Sequence, residues 1–389
     1  MVTVDSVSFY RPFWLCMRVL VPTFFKDSPR PVQLYVMVLH GLVTLCFPLH
    51  LVLHLVVHHP SPADLLKNLT MSLTCVACSL KHVAHLYHLP EIVEIESLIG
   101  QLDKFISSEE EHRYYQDYVH CNAKRFTRCL YISFGLVYLS VYLIFLFGVI
   151  VQILTGTWGI LYPAYFPFNI EDNRGMAAVA LAYQVVCILV EGIQGLGNDT
   201  YTPLTLCLLA GHLQLWAIRM AQLGFSEEKN DSNHHLLRDY IEQHKLLMRF
   251  HQLICQTISE VQLVQLGGCG ATLCIIVSYV LFFVGDAIAL VYYMVFFGVV
   301  CVQLFPSCYF ASEVTHEVQN LPYSIFSSRW YDQSKEHRFD LLVFTEMTLR
   351  SRGRVIKAGG LIELNLNAFY ATLKMAYSLF AVVVRVKGI

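Results

Sequence analysis

Seven stretches of this chain stay apolar for longer than a buried soluble helix requires: 32–57, 69–89, 129–154, 175–217, 261–285, 287–311 and 360–384. A helix crossing the ~30 Å hydrocarbon core of a bilayer needs roughly 20 such residues, so each stretch is long enough to span. The fourth holds 43 positions and at ~1.5 Å per residue would reach about 65 Å. Gly195, Gly197, Asn198, Asp199 and Pro203 interrupt its middle without supplying a charged loop. That pattern predicts one bent helix that leaves the membrane, not two crossings. Ahead of the first span, Arg11, Pro12, Arg18 and Pro22 break up the apolar character of 1–26. The expectation there is no cleavable signal peptide but a short amphipathic helix, around 9–20, lying on the membrane.

Composition agrees with the pattern. The 389 residues are 56% hydrophobic and only 14% charged, with mean hydropathy +0.51, whereas soluble domains carry about 25% charged residues. The fold class expected is therefore all-α, a polytopic membrane protein of seven helices. A formal net charge of -2 excludes a polybasic nucleic-acid binder. Lys and Arg number 21 in the segments that share the N-terminal side and four (Lys67, Arg174, Arg385, Lys387) on the other. By the positive-inside bias the N-terminus is cytoplasmic and the C-terminus extracellular. This is the reverse of a G-protein-coupled receptor, which weakens a metabotropic chemoreceptor as the alternative. The expected organisation is a cytoplasmic segment over 1–31, a six-helix membrane bundle over 32–311, a cytoplasmic segment over 312–357 and the last span with a short external tail over 358–389.

Several residues could carry chemistry. His50, His54 and His58 share a face of the first span, and His82, His85 and His88 a face of the second. Histidines on neighbouring helices suit haem or zinc, hence a transporter or redox protein. With this topology, however, the two sets sit at opposite membrane boundaries and do not share an ion. Cys75 and Cys78 have no second pair at zinc spacing and read as packed thiols. Among charges inside spans, Lys81 lies near the inner end and can snorkel. Glu191 and Asp199 flank the interrupted fourth span, and Lys374 lies mid-span in the last. Of the glycosylation triplets at Asn68, Asn198 and Asn230, only Asn68 would face outside, and no efficient glycosylation is expected. In the last span Tyr377, Phe380 and Val384 fall on one helical face, which suits a pore that closes by dewetting and also suits ordinary bundle packing.

The run Gln303-Leu304-Phe305-Pro306-Ser307-Cys308-Tyr309, then Tyr323, Ile325-Phe326, Ser328 and Trp330, Ala358-Gly359-Gly360, and Leu373-Lys374-Met375-Ala376-Tyr377-Ser378 resembles the C-terminal signature of insect odorant receptors. Asn198-Asp199-Thr200-Tyr201 with Gly211-His212-Leu213-Gln214-Leu215 is similar to that family's fourth helix. The short 224–260 interval resembles the odorant-tuned branch, since the family's coreceptor carries a long insertion there. The resemblance implies a heterotetramer with the coreceptor, in the plasma membrane of olfactory sensory neuron dendrites. It would form an odorant-gated, non-selective channel that passes cations. No catalytic residue and no cofactor would be required. By the family pattern Tyr377 and Lys374 belong to the pore helix, with Phe380 and Val384 at its gate, and the inner ends of spans four to six plus 337–349 form an anchor between subunits. A pocket for volatile odorants is expected in the outer half of the bundle, on Val76, Leu146, Ile150, Tyr183, Cys187, Tyr279 and Phe282.

Overall fold

In the computed structural model, which describes residues 4–24, 29–58, 60–155, 160–168, 170, 174–225, 230–285, 287–351 and 353–387, the chain is a bundle of long helices. In order these are α1 (Arg11–Leu20), α2 (Arg30–Leu39), α3 (Phe47–Val57), α4 (Pro62–Tyr87), α5 (Leu89–Asp103), α6 (Glu109–Tyr114) and α7 (Cys121–Thr155). They continue with α8 (Arg174–Gln222), α9 (Asn230–Phe283), α10 (Ala287–Phe326), α11 (Lys335–Ser351) and α12 (Leu366–Lys387). A π-helical turn, His40–Cys46, joins α2 to α3 into one rod. That rod and α8, α9 and α10 are apolar and long enough to cross a membrane by length and composition. With α4, α7 and α12, of 26, 35 and 22 residues, they make the seven spans expected.

The fourth span is a single helix. Pro203 sits inside α8, and Asn198 and Asp199, instead of breaking it, bond to neighbouring helices. At ~1.5 Å per residue the 49, 54 and 40 residues of α8, α9 and α10 run about 73, 81 and 60 Å. They therefore outrun the bilayer at one end, where α1, α5, α6 and α11 pack around them. The boundary expected at 311/312 falls inside α10, which continues unbroken across it. This end holds a core built on Trp216, Tyr115, Phe250 and Phe344. A buried ion pair, Arg219 Nε to Glu111 Oε1 at 2.6 Å, ties it together. Glu111 also closes a capping box with Ser108 at the start of α6, so one carboxylate both starts a helix and holds it to α8. Gly224, at φ 85°, turns the chain after α8. An added Cβ there would lie 2.7 Å from Gln333 Nε2, so both the turn and the close approach require glycine.

Two local expectations are corrected. The helix expected to lie on the membrane is α1, but its stripe of Phe13, Met17 and Leu20 is fully buried. Phe13 packs on Tyr201 of α8 and His85 of α4, and Tyr10 donates to Thr205 Oγ1 at 2.8 Å. The protein core thus supplies the apolar surface that lipid was expected to supply. Just before it, the Ser6 N–H and hydroxyl both donate to Asp103, at 2.8 and 2.7 Å. Burial would raise that carboxyl, but His212 and Ser6 outweigh it and hold the carboxyl below its ordinary range. Secondly, Ala358-Gly359-Gly360 does not open the last span. It is the turn of a hairpin between strands β1 (Lys357–Ala358) and β2 (Ile362–Glu363), with both glycines at positive φ. The Gly359 N–H donates to Ser259 O at 2.8 Å, and α12 starts at Leu366. A pair of glycines in the left-handed region makes a tight turn, not a first helical turn.

His244 lies between Trp216 and Phe344, at 5.6 and 5.2 Å from their ring centres, and His251 lies one turn pair further along α9. Burial, with Arg354 nearby, pushes both imidazoles down to about 4. An unfolded imidazole takes up its proton near pH ~6.5. Stability from these groups is therefore complete above that pH and is lost as the pH falls toward the folded value. Lowering the pH from ~7 to ~5 should lower the thermal midpoint of the purified protein. His244→Phe, which keeps an aromatic ring in the slot, should make that drop smaller in scanning fluorimetry. Equal drops in the two proteins would show that His244 does not carry it.

Candidate ligand-binding site

The helices frame a cavity of 260 Å³ among α4, α8, α9 and α10, capped by Tyr162 of the segment between α7 and α8 and touched by Leu136 of α7. Each helix contributes one stripe. On α8 it is Ile188, Glu191, Gly192, Gly195 and Asp199, and on α9 it is Gln265, Gly268, Cys269 and Thr272. Such i, i+3, i+4, i+7 spacing is what a single helical face offers. Glycines let the walls approach. A Cβ on Gly268 would sit 3.2 Å from the Ala77 Cβ of α4, the small-against-small packing common between membrane helices. Aromatic rings of Tyr292, Tyr293 and Phe296 from α10 line the far wall, and Tyr293 rests on Tyr279, centroids 4.5 Å apart.

The cap is held by side chains at the helix ends. Gln184 accepts from the Leu161 N–H at 2.8 Å and donates to Tyr162 O at 2.7 Å. Asn68 donates to Pro163 O at 2.8 Å. At 1% exposure the Asn68 amide has no room for a glycan, and Asn198 is equally buried. The Asn230 side chain lies outside the described residues.

The floor is polar. Lys81 Nζ meets Asp199 Oδ1 and Gln265 Oε1, both at 2.5 Å, with the two charged side chains 7% and 4% exposed. Lys81 therefore does not snorkel: its ammonium stays inside the bundle because α8 and α9 bring it acceptors. Next to it, Asn198 donates to Cys78 O at 3.1 Å, and its Oδ1 accepts from His85 Nδ1 at 3.1 Å. Ser79 donates to Glu191 Oε1 at 3.0 Å and the Cys78 thiol to Glu191 O at 3.3 Å. Cys75 and Cys78 are buried free thiols.

The histidine sets stay apart. His54 stacks on His58 and His50 lies by Phe166 and Tyr183, whereas His82 stacks on His40. No cluster of three or more metal-ligating side chains exists among the described residues.

None of the seven pocket residues named from sequence lines this cavity. Tyr279 is nearest, behind Tyr293. Cys187 is buried with Phe47, Leu51 and Cys75 in a separate cluster, and Tyr183 donates to Leu42 O at 2.9 Å, so both face α2 and α3. Val76 is half-buried between lining residues of α4. Leu146, Ile150 and Phe282 are exposed on the outer surface at 41%, 46% and 46%. What was missed is the polar floor. Its signal was present as charges at Lys81, Glu191 and Asp199 inside apolar spans. On α12, Lys374 and Tyr377 are exposed, and the side chains of Phe380 and Val384 lie outside the described residues.

Removing one partner of a buried ion pair costs about 3–5 kcal/mol, because the other charge is left uncompensated. Lys81→Met should destabilise by about that much, and adding Asp199→Leu should recover most of the loss. Thermal or denaturant midpoints of the purified variants read this directly. A double variant as unstable as the sum of the singles would show that the pair is not coupled.

A family model described as 7tm Odorant receptor matches residues 61–377. Odorant receptor 33c of Drosophila melanogaster is 76% identical over 389 residues, covering 100% of both chains. Odorant receptor 33b of the same organism is 32% identical, covering 97% of this chain and 96% of that one. Among solved structures, the insect olfactory receptor OR5 from Machilis hrabei shares the fold at a TM-score of 0.77 and 14% identity, with 98% of this chain and 100% of that chain covered. OR5 in complex with eugenol gives 0.81 at 13% identity over the same shares. A match of this length to the family model, joined to full-length relatives on a common seven-helix fold, places the chain in the odorant receptor family.

Proposed function

We propose that this chain is the odorant-tuned subunit of a heteromeric, odorant-gated cation channel, working with a coreceptor subunit in the plasma membrane of olfactory neurons. The observation that carries the reading is the mostly apolar cavity between α4, α8, α9 and α10 in a chain of this family. A small volatile offers little but apolar surface and one polar group, and a buried pocket with few polar atoms recognises such a molecule. The Lys and Arg bias supports a cytoplasmic end built on α1, α5, α6 and α11, with the cavity nearer the external face.

The faces of α12 support a pore role. Phe369, Thr372 and Ala376 are buried, with Phe369 against Phe305 of α10 and Thr372 near Gly270 of α9. Tyr370, Lys374 and Tyr377 turn to the opposite, exposed side. In the proposed tetramer that exposed side faces the central axis, continued by Phe380 and Val384. Phe339 and Leu342 of α11, exposed at 65% and 67%, would meet neighbouring subunits in the anchor. Odorant binding would open the pore by favouring one of two arrangements of these helices. Odorants, cations and lipid would be the small partners.

Whole-cell currents from cells expressing this chain alone, a coreceptor alone and both together, under a G-protein inhibitor, test the reading. Odorant-evoked currents are expected only on co-expression, and Tyr377→Ala is expected to alter their cation permeability ratios. Responses from the chain alone that vanish under the inhibitor would overturn it in favour of a metabotropic receptor.

A further inference from the structure

Glu191 is the one carboxylate in the cavity wall with an oxygen left over. The residue is 6% exposed, it lines the cavity, and Ser79 donates to its Oε1 at 3.0 Å. Its Oε2 is buried and has no hydrogen-bond partner among the described residues. The other charged groups of the wall, Lys81 and Asp199, are spent on each other and on Gln265. Buried polar atoms are nearly always satisfied, and one that is not has a high cost unless something else meets it.

We propose that the occupant meets it: the cavity is built for a volatile alcohol or phenol whose hydroxyl donates to Glu191 Oε2, making Glu191 the residue that sets ligand class. This rests on the reading of the cavity as the odorant site. The chemistry of the wall narrows the choice. A carboxylate would be repelled by Glu191 and Asp199, and an ammonium would have to leave water for a mostly apolar wall beside the Lys81 ammonium, so a neutral ligand that offers a proton fits best. A carboxyl oxygen accepts from a hydroxyl when ionised, and when protonated it donates to the same hydroxyl oxygen, so a hydroxyl satisfies it in either state. A ketone, ester or ether has no proton to give: it is met only by the protonated carboxyl and sets lone pairs against lone pairs when the carboxyl is ionised, whereas a hydroxyl is met in both states. Size agrees. At the ~30 Å³ that one water-sized group occupies in a liquid, 260 Å³ admits about nine such groups, the scale of a medium-chain or monocyclic alcohol.

The experiment uses the full chain co-expressed with a coreceptor and matched probes on one carbon skeleton: 2-octanol, 2-octanone and 2-methoxyoctane, with a phenol and its methyl ether as a second set. Half-maximal concentrations for evoked currents are compared among wild type, Glu191→Leu and Glu191→Gln, with surface labelling of each. The wild type is expected to prefer each alcohol or phenol over its ether by roughly tenfold, the size of one good hydrogen bond. With surface labelling confirming folding and delivery to the membrane, Glu191→Leu should abolish that preference. Glu191→Gln, which keeps an acceptor, should retain most of it. Ketones or ethers matching the alcohols in the wild type, or a hydroxyl preference surviving in Glu191→Leu, overturns the inference and leaves the channel reading standing. A surface-expressed wild type that gates to no volatile of any class overturns the channel reading itself.

Discussion

Everything in the membrane half of this protein is arranged around an ammonium that has been taken out of water. Lys81 sits on a helix that must pack against two others, and a lone cation there would be prohibitively costly. Asp199 and Gln265 remove that cost only when α4, α8 and α9 stand in one register, because a shift of a single residue along any of them rotates its acceptor by about 100°. The contacts on either side follow the same register. Residues 75, 79 and 81 of α4 meet 187, 191 and 199 of α8, a parallel pair. Residues 77 and 81 of α4 meet 268 and 265 of α9, an antiparallel one. Three helices fixed by a polar point and separated above it leave a space, and that space is the cavity.

The same logic governs the other end with different chemistry. Arg219 and Glu111 are buried and paired, Gln243 takes a further guanidinium proton at 2.8 Å, and Asp103 gathers Ser6 and His212. These contacts tie α6, α8, α9, α5 and the N-terminal segment into one body around the Trp216 core. Lipid requires only that a helix be apolar outward, whereas this end must be a folded protein in its own right, and it shows the polar networks and capping that such folding needs.

The spans were legible because hydropathy over some 20 residues is a bulk property that survives any rotation of the helix. Rotation is what the pocket depends on, and hydropathy does not carry it. The sequence points to Tyr183 and Cys187 on α8, whereas Ile188, Glu191 and Gly195 face the cavity. In a helix apolar all round, periodicity does not say which face meets which neighbour. Polar atoms break that tie: Glu191, Asp199 and Lys81 point inward, and their spacing marks the stripes that line the cavity. Gly359 and Gly360 were misplaced for a related reason, since hydropathy does not register a backbone in the left-handed region. α1 was assigned to lipid because an amphipathic stripe fits a membrane surface and a protein groove alike.

One helix stands between the cavity and the exposed face of α12, and that placement constrains how a ligand could be felt. Gln265, Gly268, Cys269 and Thr272 put one side of α9 on the cavity, while Gly270, on its other side, lies where an added Cβ would come within 3.0 Å of Met375 and 3.4 Å of Thr372 of α12. The same helix grips the hairpin before α12, through Ser259 and through Leu263, which fills the space a Gly359 Cβ would need at 2.5 Å. α9 thus borders the cavity on one side and packs against Met375 and Thr372 of α12 on the other. A close-packed interface of this kind settles in one of a few discrete arrangements. On the proposed function, binding energy gained at Gln265 or Gly268 in one arrangement and not in another would bias α12 through this single helix.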